Sequence, residues 1–118
     1  MEDAALGITP ERLSVLSVLV YGGPTLLGRL AAIEQVTPPA ITRHVDVLER
    51  DGLAWREAVA GDRRAIRVRA TPAGRRLVER GRRSRIRAVA AVLAEFDERS
   101  LAEVDRVSSR LLARLTPH

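Results

Sequence analysis

The 118-residue sequence predicts a mainly α-helical fold with one small β-hairpin. Three observations lead there. Thr9-Pro10, Thr37-Pro38 and Thr71-Pro72 each mark a helix start, because a Thr hydroxyl caps free backbone N–H groups and a Pro in the first turn has no N–H to lose. Apolar residues recur at spacings of three and four beyond those starts. Between the second and third starts, two alternating runs flank the turn signal Gly61-Asp62. The order helix, helix, turn, helix, hairpin, helix, helix is that of a winged helix-turn-helix with a C-terminal helical extension suited to dimerisation. The corresponding divisions are a short N-terminal segment (1–8), a winged helix-turn-helix domain (9–71) and the extension (72–118).

The first helix places Leu13, Leu16 and Val20 on one face, and Val15, Val18 and Leu19 widen it, so burial on two sides is expected. Gly22-Gly23-Pro24 stops it. A second helix over about 26–34 turns Leu27, Leu30 and Ala31 inward. After the turn Gln35-Val36-Thr37, a third runs over 38–51 with Ile41, Val45 and Leu48 inward, and Gly52 ends it. Strands are expected over 53–58 and 64–70, with Ile66, Val68 and Ala70 on one face and Arg67 and Arg69 on the other. A long helix from Pro72 to about residue 96 would span roughly 36 Å, more than so small a core can cover. Ser100 and Glu103 form a capping box for the last helix.

Composition narrows the function. The net charge is +5, and all 20 basic side chains are arginine. A GC-rich coding sequence accounts for the lack of lysine; it does not account for where the arginines sit. Arginine suits bidentate contact with phosphate and guanine. There is no cysteine, which excludes disulfides, thiol sensing and cysteine nucleophiles. His44 and His118 are the only histidines, and no catalytic triad, metal-ligand cluster or phosphate loop is present, so neither an enzyme nor a cofactor is expected. No run approaches the ~20 apolar residues of a membrane span, and the acidic start lacks the features of a signal peptide. A cytoplasmic protein without a membrane partner is the expectation.

The chemistry-bearing residues form three groups. The third helix would be the recognition helix, its N-terminal end entering the major groove of double-stranded DNA. Thr37, Pro38, Pro39 and Ala40 form that end, with Thr42 and Arg43 one turn on. Pro39 and Ala40 can meet thymine methyls, and Arg43 can meet guanine O6 and N7. Ala31 and Ala32 are small where two helices must cross, and Val36 can plug the corner. The wing is the second group: Arg63 and Arg64 at its tip can reach an A·T-rich minor groove, and Asp62 can hold the loop backbone and aim Arg64. The third group is the seam Ile86, Val89, Leu93 and Phe96, with Val104, Leu111 and Leu115 as its counterpart, which points to dimerisation. An arginine stripe, Arg76, Arg80, Arg83 and Arg87, reads equally as a solvated face paired with Glu79 or as phosphate contact.

These residues carry a family resemblance. "ITRHVDVLERDGL" (41–53), "GDRRAIRV" (61–68) and "TPAGRRL" (71–77), in order and spacing, resemble the DNA-binding core of the MarR family. The resemblance covers residues 9 to about 96, and loosely the last helix. It implies a homodimeric transcription factor on pseudo-palindromic sites, usually a repressor, often released by a small-molecule effector. It assigns Thr37 to Arg43 to groove reading and Asp62 and Arg64 to the wing pair. Only about eight residues precede Thr9 where members usually carry a full helix, so a smaller or differently built dimer interface is expected. His44 stands where an apolar residue is usual and reads as a half-buried structural side chain. An architectural or non-specific DNA-binding protein remains the alternative.

Overall fold

The computed structural model describes residues 7–115. Most of the expected N-terminal segment (1–6) and His118 lie outside them. The elements are α1 (Pro10–Gly22), β1 (Thr25–Leu26), α2 (Leu27–Glu34), α3 (Pro38–Arg50), β2 (Ala54–Val59), β3 (Asp62–Ala70), α4 (Pro72–Leu93) and α5 (Glu98–Leu115). The chain divides into two compact units between Arg82 and Arg83, within α4.

The core of the first unit forms where the apolar faces meet. Leu16 and Leu19 of α1, Leu30 of α2, Ile41, Val45 and Leu48 of α3, and Val68 of β3 are buried. Each such side chain contributes about 1.5–3 kcal/mol by leaving water. Leu77 and Val78 of α4 join them, so the start of that helix belongs to this core, beyond the boundary drawn at residue 71. Ala31 is buried as expected, but Ala32 is exposed: one small residue, not two, serves the helix crossing.

The caps act as the sequence implies. Thr9 Oγ1 accepts from the Arg12 N–H at 3.3 Å, and Thr37 Oγ1 accepts from the Ala40 N–H at 3.3 Å. Gly52 leaves α3 at φ +73°, which lets the Leu53 N–H reach the Leu48 carbonyl at 2.8 Å. Thr71 builds a tighter joint. Its N–H donates to the Leu53 carbonyl at 3.0 Å, its hydroxyl donates to the Gly52 carbonyl at 2.7 Å, and that same hydroxyl accepts from the Gly74 N–H at 3.0 Å. A methyl group on Gly74 would run into the Leu53 carbonyl oxygen. The spacing Thr-x-x-Gly is therefore a packing requirement: the end of α3, the end of β3 and the start of α4 meet at one point.

Several expectations need correction. The sheet has three strands, in the order β1-β3-β2, not two. Thr25 lies opposite Val68 and Leu26 opposite Arg67, so residue 26 is strand and not helix. The free edge of β3 explains it, since an extended pair of residues after Pro24 supplies the missing backbone partners. Ile66 does share the Val68 and Ala70 face, but it is 37% exposed, because the core ends at Val68. The long helix stops at Leu93, which leaves Phe96 in the connection, and α5 begins before Ser100. Asp97 supplies the cap: its Oδ1 accepts from the Ser100 N–H at 2.7 Å. That bond, with the Ser100 hydroxyl, holds the Asp97 carboxyl below its ordinary pKa. A charged acceptor there outweighs the serine hydroxyl of the expected box.

Gln35 is the one non-glycine residue with positive φ (56°) among the described residues. It closes α2 in the left-handed conformation, which costs an L-residue about 1–2 kcal/mol and glycine almost nothing. Gln35→Gly should raise the unfolding free energy by roughly 0.5–1 kcal/mol after the added freedom of the unfolded chain is subtracted. Urea denaturation checks it, and an unchanged or lower midpoint contradicts it.

Candidate nucleic-acid interface

The turn between α2 and α3 sets the direction of α3. Gln35 N–H donates to the Ala32 carbonyl at 3.2 Å and Val36 N–H to the Ala31 carbonyl at 3.0 Å, while the Val36 side chain packs on the core. Helix α3 then buries Ile41, Val45 and Leu48 and turns the opposite face outward. Thr37, Pro38, Pro39 and Arg43 are exposed; Ala40 and Thr42 are half-buried, as is His44. Arg43 enters no ion pair among the described residues, so its guanidinium is free to meet a ligand.

A side-chain clamp absent from the sequence reading ties α3 to the wing. Arg56 of β2 meets Asp46 Oδ1 through Nη2 at 2.6 Å and Glu49 Oε1 through Nη1 at 3.2 Å. Its backbone N–H also donates to Glu49 Oε2 at 2.9 Å. The sequence alone could not reveal this pairing, because the partners are seven and ten residues apart and meet only once β2 folds alongside α3.

The wing tip is sharper than expected. Only Ala60 and Gly61 connect the strands, with Gly61 at φ +83°. Ala58 lies opposite Ile66, yet Val59 lies opposite Asp62, so Arg63, Arg64 and Ala65 stand outside the one-to-one pairing. This is a bulge, and bulges re-aim side chains. Asp62 Oδ1 accepts from the Arg64 backbone N–H at 2.9 Å, which fixes the loop backbone of the arginine rather than its guanidinium. Arg63 and Arg64 are exposed and, among the described residues, carry no ion pair. Further down the wing the charges are satisfied. Glu57 Oε1 meets Arg67 Nε at 2.6 Å and Arg69 Nη2 at 3.1 Å. The Arg69 and Arg67 hydrogen bonds hold the Glu57 carboxyl below its ordinary pKa. Alternation along β2 and β3 could have revealed this trio, since Glu57 lies directly opposite Arg67.

The seam residues are described within the second unit. Ile86, Val89 and Phe96 are exposed and Leu93 is half-buried. Val104, Leu111 and Leu115 are exposed, and none of the described residues of α5 is buried. In the arginine stripe, Arg76, Arg80, Arg83 and Arg87 are exposed; Glu79 pairs with Arg82 at 4.0 Å instead.

A helix pair, α2 and α3, followed by a two-stranded wing with a bare basic tip defines a winged helix-turn-helix protein. A family model described as MarR family matches residues 6–65, and the chain belongs to that family. The chain is 29% identical over 113 residues to YdgJ of Bacillus subtilis (strain 168), described as an uncharacterized HTH-type transcriptional regulator; the match covers 96% of this chain and 66% of YdgJ. Its structure is similar to that of the YusO protein from Bacillus subtilis, with a TM-score of 0.84, 28% identity and coverage of 95% of this chain and 79% of that one. It also shares its fold with an S. aureus MepR mutant bound to an oligodeoxyribonucleotide, with a TM-score of 0.75, 23% identity and coverage of 95% and 83%. Among the described residues no helix is long and apolar enough to cross a membrane.

Proposed function

We propose that the chain is a sequence-specific repressor of transcription that acts as a homodimer on pseudo-palindromic operators. The observation that carries this reading is the exposed face from Thr37 to Arg43, which ends in an unpaired arginine and stands in one unit with an unpaired basic wing tip. The DNA-bound MepR neighbour, of the same fold, supports it. The N-terminal end of α3 reads the major groove through Pro39, Ala40, Thr42 and Arg43, while Thr37 and Pro38 set the backbone against phosphate. The unit up to Arg82 binds DNA, and the unit from Arg83 brings two copies together. Such work places the protein in the cytoplasm, where its DNA is.

In-vitro selection of bound duplexes tests the reading. Enrichment of a two-fold-related sequence is the expected result; no enrichment would leave an architectural, non-specific binder. On the selected site, Arg43→Ala should cost about 1–3 kcal/mol, and much less on random DNA. Equal losses on both would make Arg43 a phosphate contact.

The wing has its own signature. Arg64 reaches the minor groove at the outer flanks of the site. Replacing flanking A·T pairs by G·C adds the guanine amino group and tends to widen the groove, so wild type should lose affinity there while Arg64→Ala is nearly indifferent. Asp62→Ala should behave as a weaker Arg64→Ala. A double-mutant cycle between residue 64 and the flanking pairs reads the coupling, and additive losses would remove the minor-groove assignment.

A further inference from the structure

We infer that the base of the wing holds a nucleotide site, formed by Trp55 with Arg75 and Arg76. The site is separate from the α3 face and the wing tip proposed to meet DNA, since none of those residues lines it.

Trp55 is the only tryptophan in the chain. It is 44% exposed, on the outer face of β2, and lies directly opposite Arg69 of β3. A groove of about 470 Å³ opens beside it, lined by Trp55, Arg69, Ala70, Pro72, Arg75 and Arg76. That volume falls in the range of small-molecule sites. Arg69 is held at the groove by its two hydrogen bonds to Glu57, at 3.1 and 3.3 Å. Arg75 and Arg76 are exposed and, among the described residues, enter no ion pair. The groove thus holds three guanidiniums, one of them already paired with Glu57, beside one indole.

This composition selects its ligand. An indole offers a flat face for stacking, and guanidiniums bind phosphate with paired N–H groups. Two unpaired guanidiniums exceed what one carboxylate can use, whereas a phosphate monoester carries about −1.5 to −2 charges at neutral pH. A planar base on Trp55 with its phosphate on Arg75 and Arg76 fills both requirements. Duplex DNA does not, since its bases are already stacked and show no free face. The groove also lies far from the tip: six residues of strand separate Arg69 from Arg63, roughly 20 Å.

The single tryptophan is the reporter. GMP titrated into the full-length protein should quench its fluorescence along a saturating curve. Guanosine alone and inorganic phosphate alone should each bind roughly tenfold more weakly, because each fills half the site. Arg75→Gln combined with Arg76→Gln should weaken GMP binding roughly tenfold with an unchanged melting temperature, as both side chains are exposed. Trp55→Leu, followed by equilibrium dialysis, should show a comparable loss without relying on fluorescence. A quench that does not saturate, or equal affinity for guanosine and GMP, overturns the inference. Displacement of GMP by a blunt duplex, with equal losses for both ligands in the arginine variant, would assign the groove to the DNA backbone and also overturn it.

Discussion

Gly74→Ala should cost about 3 kcal/mol, a larger loss than the methyl group itself suggests. The added carbon meets the Leu53 carbonyl oxygen, which is backbone, and then Leu16, a fully buried core side chain. Neither can swing aside as the end of a long side chain would. The strain is relieved only by moving α4 away from the α3–β2 corner, which loosens Leu77 and Val78 and lengthens the Thr71 hydrogen bonds. Overpacking of this kind costs about 1–3 kcal/mol, and contact with backbone puts it at the upper end. For a unit of this size the melting temperature should fall by roughly 10–20 °C. Thr71→Val, which keeps the shape and removes the hydroxyl bonds, should cost about 1–2 kcal/mol. Calorimetry on the two variants distinguishes them: if the alanine variant melts no lower than the valine one, the close approach at Gly74 does not limit stability.

Leu111→Glu should leave the fold of each protomer intact and abolish pairing. Leu111 is 57% exposed within its own chain, so a charge there meets water and not a core. In a dimer built on the seams of α4 and α5, the same charge is buried against apolar side chains without a partner, at a cost of several kcal/mol. A monomer can hold only one half-site. Losing the linkage between half-sites should weaken operator binding by about 10²–10⁴-fold, with little change on a single half-site. Sedimentation and gel shifts check both parts. A wild type that sediments as a monomer at micromolar concentration, with full operator affinity, would remove the dimer from the proposal.

Much of this molecule is readable from its residues because its helix starts are written locally. Thr9, Thr37 and Thr71 each cap an N–H three residues on, so the short stretch around each carries the helix start, although Thr71 also bonds Gly52 and Leu53. The Asp97 cap was equally local, yet Ser100 and Glu103 offered a second match, and only the charge of the aspartate separates the two. What escaped was information held between elements. Thr25 and Leu26 have no strand pattern of their own and become a strand because β3 has a free edge. Arg56 looks like any charged residue of a strand until α3 presents Asp46 and Glu49 beside it. The candidate interface was legible as residue types, Arg43 and Arg64 above all. The bulge that frees Arg63 to Ala65 from pairing was not, because register follows from how two strands align and not from either one.

Helix α5 buries none of its described residues within its own chain. In the dimer proposed above a second copy covers that apolar surface, so a newly made protomer would leave it bare to quality-control proteases. Its survival would depend on how soon it meets a second copy, and that time shortens as the copy number rises. Halving the synthesis rate should then lower the amount of working regulator by more than half. A gene under such control would respond to dosage with a threshold, set by the turnover of unpaired protein as much as by affinity for DNA.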